Sequence, residues 1–149
     1  MQKYGTNPEL DKFVDSTKFK ECKKAIDLEY GLDKLVHNSN WMVRYLIAKR
    51  GYELDKLIND NEANIRKMVA IHNYRLDILV NDEDLGVRMA VARQKYGLDK
   101  LVNDKSVEVR VTVARQGYGL DQLINDEDYW VRMAVAEQKY GLNILINDE

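Results

Sequence analysis

The chain has 149 residues, enough to bury a core of its own, and with 45% hydrophobic and 32% charged residues it is neither disordered nor membrane-spanning. Its net charge of −2, from 23 basic and 25 acidic residues, argues against a general nucleic-acid binder, which carries a clear basic excess. Cys22 is the single cysteine, which excludes an intramolecular disulfide and any all-cysteine metal or iron–sulfur site.

The opening MQKYGTNPEL lacks the apolar core of a secretory signal, and no apolar run approaches the roughly 20 residues of a membrane span. A cytoplasmic, non-membrane protein is expected. From Pro8 the stretch PELDKFV begins a pattern that returns as YGLDKLV at Tyr30. Tyr30, Tyr52, Tyr74, Tyr96, Tyr118 and Tyr140 follow one another at intervals of 22 residues. A lead of 7 residues, six repeats of 22 and a partial repeat of 10 account for the whole chain. Residues 1–149 therefore form one repeat domain: a lead and capping repeat over 1–29, five regular repeats over 30–139, and a partial repeat over 140–149. Positions within a repeat are numbered as columns 1 to 22 from the tyrosine.

Along each repeat, columns 3 to 7 (LDKLV, LDILV) predict a short helical element, α or 3-10. Column 9 holds Ser16, Asn38, Asp60, Asp82, Asp104, Asp126 and Asp148, all favoured helix N-caps. A helix of about 12 residues, roughly 18 Å long, is expected to follow. It should end near columns 22 to 2, where every junction carries a residue tolerant of positive φ. On a helical wheel, columns 14 and 18 (Val87 and Val91) form one apolar flank. Columns 12, 16 and 19 (Leu85, Met89 and Ala92; Tyr129, Met133 and Ala136) form a second. A helix apolar on two flanks is sandwiched between neighbours, and columns 13 and 20 are left to solvent. The fold expected is an all-α solenoid of 22-residue repeats. In the capping repeat Lys18, Lys20, Lys23 and Lys24 hydrate an outer side. At the other end Leu142, Leu145 and Ile146 have no obvious cover, which opens self-association through that end.

Column 15 places Arg44, Arg66, Arg88, Arg110 and Arg132 beside the apolar columns, and Cys22 takes that place in the cap. Arginines facing inward, with acids at columns 4 and 9 at the same period, read as an internal ladder to Asp60, Asp82, Asp104 and Asp126. Such a ladder presents one group at regular translation, whereas catalysis needs unlike groups converging at one place. No nucleophile–base arrangement or phosphate loop stands out. His37 and His72 fall in different columns without metal-ligand spacing. No enzyme activity, metal or cofactor is expected.

Specificity should lie where the repeats differ. Column 13 runs Met42, Asn64, Gly86, Glu108, Trp130; column 20 runs Lys49, Ile71, Arg93, Arg115, Glu137; column 16 adds Tyr45, Lys67, Met89, Val111 and Met133. The candidate contact surface is Trp130, Tyr129, Met133, Arg93, Arg115, Met89, Tyr45 and Met42, centred on DEDYWVRM. The competing reading has Trp130 packing sideways on its neighbouring repeat.

The succession Asp82…Val87–Arg88…Val91–Ala92, repeated as Asp126…Val131–Arg132…Val135–Ala136, resembles HEAT-like repeats and the leucine-rich repeat variant. The resemblance covers residues 8–149. It implies a right-handed α-α superhelix, aspartate–arginine ladders between repeats, and a protein- or peptide-binding scaffold. A repeat of 22 is shorter than the usual HEAT repeat, and the cysteine cluster of some leucine-rich repeat variants is missing. The alternatives are a nucleic-acid binder of the HEAT-like kind, using Lys49, Lys67, Arg93 and Arg115, or a purely structural, self-assembling module. Glu108 and Glu137 count against nucleic acid.

Overall fold

Each repeat spends its apolar residues on two helices of unequal length. The computed structural model describes residues 7–138, and among them the chain is all-helical, with twelve helices and no strand. The long helices, nine residues each, are α2 (Phe19–Asp27), α4 (Trp41–Lys49), α6 (Ala63–Ile71), α8 (Leu85–Arg93), α10 (Val107–Arg115) and α12 (Tyr129–Glu137). Helix α1 (Pro8–Val14) opens the chain, with Pro8 at its first turn, where a missing N–H costs nothing. The short element is a single α-turn each time: α3 (Leu32–Leu35), α5 (Leu54–Leu57), α7 (Leu76–Leu79), α9 (Leu98–Leu101) and α11 (Leu120–Leu123). Leu35 N–H bonds to Gly31 C=O and Val36 N–H to Leu32 C=O, the α rather than the 3-10 pattern.

The chain divides into two compact halves, Met1–Tyr74 and Arg75–Glu149. In the first, α2 packs on α1 and α4, and α4 on α6, while α3 and α5 close the layer behind. In the second, α10 lies against both α8 and α12, with α9 and α11 behind. Columns 14 and 18 supply both cores. Val43, Ile47, Ile65 and Val69 are wholly buried in the first half, and Val87, Val91, Val109, Val113, Val131 and Val135 in the second. The column-6 leucines, such as Leu57 and Leu101, seal each layer. Each of these side chains contributes about 1.5–3 kcal/mol by leaving water. Ala92 and Ala114 are buried and let their helices approach closely, whereas Ala136 is exposed.

The long helix starts later and is shorter than its pattern suggests. Its N-cap is column 11, in extended backbone: Asn40 accepts from Met42 N–H at 3.0 Å, Asp84 from Val87 N–H at 3.1 Å and Asp128 from Trp130 N–H at 2.8 Å. The column-9 aspartates instead take the N–H two residues on. Asp60, Asp82, Asp104 and Asp126 accept from Glu62, Asp84, Ser106 and Asp128, each at 2.9 Å. That is an Asx-turn ahead of the helix, which uses the same side-chain chemistry as a cap. The turn takes up the first two positions assigned to the helix, which also stops at column 20, and nine residues remain.

Column 12 departs from expectation as well. Leu85 and Tyr129 do not pack into a second buried flank; they are exposed, Tyr129 by 60%. Column 19, expected in the same flank, does face inward, with Ala48, Ala70, Ala92 and Ala114 fully buried. The nine-residue helix begins at column 12, so that position sits on its first turn, at the rim of the layer. Columns 13 and 20 lie at the surface. Leu142, Leu145, Ile146 and Asp148 fall outside the described residues. Among the described residues no helix is long and apolar enough to cross a membrane.

Candidate functional site

Arg44, Arg88 and Arg110 of column 15 each bind the column-9 aspartate of the following repeat. Arg44 donates from Nε to Asp60 Oδ2 at 2.7 Å and from Nη2 to Oδ1 at 3.0 Å. Arg88 grips Asp104 at 2.7 and 2.9 Å, and Arg110 grips Asp126 at the same two distances. The fork is completed by carbonyls of the arginine's own repeat: Arg88 Nη1 donates to Asp82 C=O at 2.8 Å and Glu83 C=O at 2.9 Å. Arg66 is buried and donates from Nη1 to Asp60 C=O at 2.8 Å; Arg132 is exposed and donates to Asp126 C=O at 2.7 Å. The column-4 acid Asp99, expected to join this ladder, is exposed, and Arg88 turns to Asp104 instead.

Electrostatics follow from that geometry. Burial alone would raise the Asp104 and Asp60 carboxyls, but the guanidinium of Arg88 or Arg44 and the N–H of Ser106 or Glu62 outweigh it and hold both below the usual range. Asp126 is lowered chiefly by its bond from Arg110. Arg44, Arg88 and Arg110 are raised in turn, first by the bonds to their aspartates. These are bidentate, charge-assisted pairs with their donors and acceptors used up. They brace the repeats and leave nothing for chemistry.

Cys22 is buried; its thiol donates to Ser16 C=O at 3.0 Å, and burial pushes its pKa up, the opposite of a reactive thiol. His37 and His72 are both exposed, with His72 Nε2 3.2 Å from Lys49 C=O. Among the described residues no three His, Cys, Asp or Glu side chains are grouped as a metal site.

The variable columns form a separate face in each half. In the second half Trp130 is 59% exposed and its indole meets the Tyr129 ring edge-on, 5.5 Å between centroids. Met133 and Met89 are half-buried, Arg93 is exposed, and Arg115 pairs with Glu137 at 3.4 Å. Met42 and Tyr45 belong to the first half, where they border an apolar groove of about 510 Å3. Helix α4 contributes Trp41 and Leu46 beside them, with the Trp41 and Tyr45 rings edge-to-face at 6.3 Å. Phe19 closes the groove from α2, and Asn64, Lys67 and Met68 from α6. At columns 12 and 13, α6 carries Ala63 and Asn64 where α4 carries Trp41 and Met42.

Trp41, Leu46 and Met68 were not among the residues expected at a contact surface. The signal for Leu46 and Met68 is in column 17, which holds them in the first half but Ala90, Thr112 and Ala134 in the second. Small residues there are buried between helices; large ones stay half-exposed and line the groove.

The repeated helix pair, the buried arginine–aspartate pairs and the absence of grouped reactive residues among the described positions define an all-helical protein of short tandem repeats. Comparison with models of known families, with curated proteins and with solved structures finds no match to this chain.

Proposed function

We propose that this protein is a non-enzymatic scaffold that binds a protein or peptide, with its repeats stacked as a right-handed solenoid of the HEAT-like or leucine-rich repeat variant kind. One contrast supports the reading. The apolar columns that repeat, 6, 14 and 18, are buried, whereas columns 12 and 13, which vary, expose the large apolar side chains of Trp41, Met42, Leu85, Tyr129 and Trp130. A stacked scaffold gains nothing from tryptophan at a solvent-facing column, and exposed aromatic clusters are the usual anchors of an interface. The packing of consecutive long helices within each half, α2–α4–α6 and α8–α10–α12, supports the stacked arrangement.

The test is selection from a displayed library of protein fragments on the wild-type chain, with each selected ligand then measured on Trp41→Ala and Trp130→Ala. At least one ligand should lose about tenfold or more in affinity to one of these variants, the scale of a hot-spot aromatic. Circular dichroism would confirm that each variant keeps its helices. A library that yields no ligand sensitive to either change would end the reading.

A further inference from the structure

The two faces differ in charge, and the difference points to a class of partner. Columns 13, 16, 17 and 20 of α2, α4 and α6 carry Lys20, Lys23, Lys24, Lys49 and Lys67 against the one acid Asp27. The same columns of α8, α10 and α12 balance Arg93 and Arg115 against Glu108 and Glu137. A chain with a net charge of −2 thus carries a net positive charge on the columns beside its apolar groove, with Lys67 in the groove's own lining. Lys23 is engaged with Asp27 at 2.6 Å, and Lys24 lies over the Phe13 ring at 5.1 Å. Among the described residues Lys20, Lys49 and Lys67 have no carboxylate within ion-pair distance, and Lys67 lines the groove itself.

Resting on the scaffold reading, we infer that the groove between α2, α4 and α6 receives an acidic amphipathic segment of a partner protein. One or two aromatic or aliphatic side chains enter between Trp41, Tyr45, Leu46 and Met68, and neighbouring carboxylates meet Lys67 and the outer lysines. The groove suits side chains of that kind. Its walls are indole, phenol, thioether and isobutyl groups, and two methionines give it walls that adapt in shape. Charge on the rim steers an acidic ligand and sets its register, while the apolar contact holds it. Nucleic acid fits less well. The Trp41 and Tyr45 rings stand at 70° to each other and form no parallel platform for successive bases, and these columns of α2, α4 and α6 hold no arginine.

The experiment uses a phage-displayed library of random linear peptides selected on the full chain, with fluorescein-labelled copies of the enriched peptides measured by anisotropy. Enriched sequences should combine Asp or Glu with Leu, Phe or Trp. Their affinity should fall about tenfold on Lys67→Glu, the scale of one charge-assisted contact, and should also fall on Trp41→Ala. Trp130→Ala should leave it unchanged. Lys67→Glu changes a rim residue and keeps the test valid should Trp41→Ala fail to fold. Enriched peptides that are neutral or basic, or that respond to Trp130→Ala and not to Trp41→Ala, would overturn the inference while leaving the scaffold reading intact. A library with no enrichment would fell both. A labelled oligothymidylate that binds at low salt and displaces the peptides would replace the acidic segment with nucleic acid.

Discussion

Arg88 shows what one residue does in this architecture. Its guanidinium holds Asp104 by two bonds and ties down the carbonyls of Asp82 and Glu83, all with its side chain nearly excluded from water. Replacing it by alanine strands a buried carboxylate and two carbonyls at once. Arg88→Ala should therefore cost about 3–5 kcal/mol, read as a lowered urea midpoint. Arg132→Ala should cost far less, since that side chain is exposed and its described bonds are to carbonyls. Equal losses for the two would contradict a bracing role that depends on burial.

Helices are joined by junctions with a shared geometry and unequal chemistry. Columns 22 and 2 are both left-handed at each described junction, yet the residues there include Glu29, Glu53, Asn73, Arg75 and Lys95 as well as glycines. The α8–α9 junction contains both kinds. Lys95, at φ 58°, is an exposed side chain in a conformation that suits glycine, and Lys95→Gly should stabilise by about 0.5–1 kcal/mol after glycine's extra unfolded freedom is subtracted. Gly97, at φ 60°, is different, because a Cβ there would lie 2.6 Å from Val80 Cγ2. Gly97→Ala adds overpacking to the backbone strain and should cost about 2–4 kcal/mol. Denaturant midpoints of the two variants should move in opposite directions; movement the same way would refute the argument.

Acid sensitivity belongs to the whole molecule, because paired carboxylates sit in both halves: Asp60 in the first, Asp104 and Asp126 in the second. Their folded pKa values lie below that of an unfolded aspartate, about 3.9. The folded state therefore binds fewer protons than the unfolded one in that range. Their stabilisation is complete above the unfolded value and is lost as pH falls through the folded ones. The paired arginines are shifted further up and add no loss at moderate alkaline pH. Melting temperature should stay level from pH 7 to about 5 and drop steeply below about 4. A drop already complete at pH 5 would mean that other groups control unfolding.

The repeated spacing of residues, by itself, determined the 22-residue period, the helical character of the chain and the burial of columns 14 and 18. Each follows from local periodicity, which a helix converts directly into a face. The start of the long helix was not legible there. A column-9 aspartate can cap a helix or close an Asx-turn with the same oxygen, and sequence preference does not separate the two. The structure decides it, because the arginine of the preceding repeat takes the rest of that carboxylate and holds it ahead of the helix. The site divides along the same line. Trp130 stood out as a large residue in a variable column, with Tyr129 beside it. The groove at Trp41 required two neighbouring helices to be set side by side, since a depression is a difference in side-chain size across an interface. One helix's pattern holds only one wall of it, and only tertiary structure supplies the other.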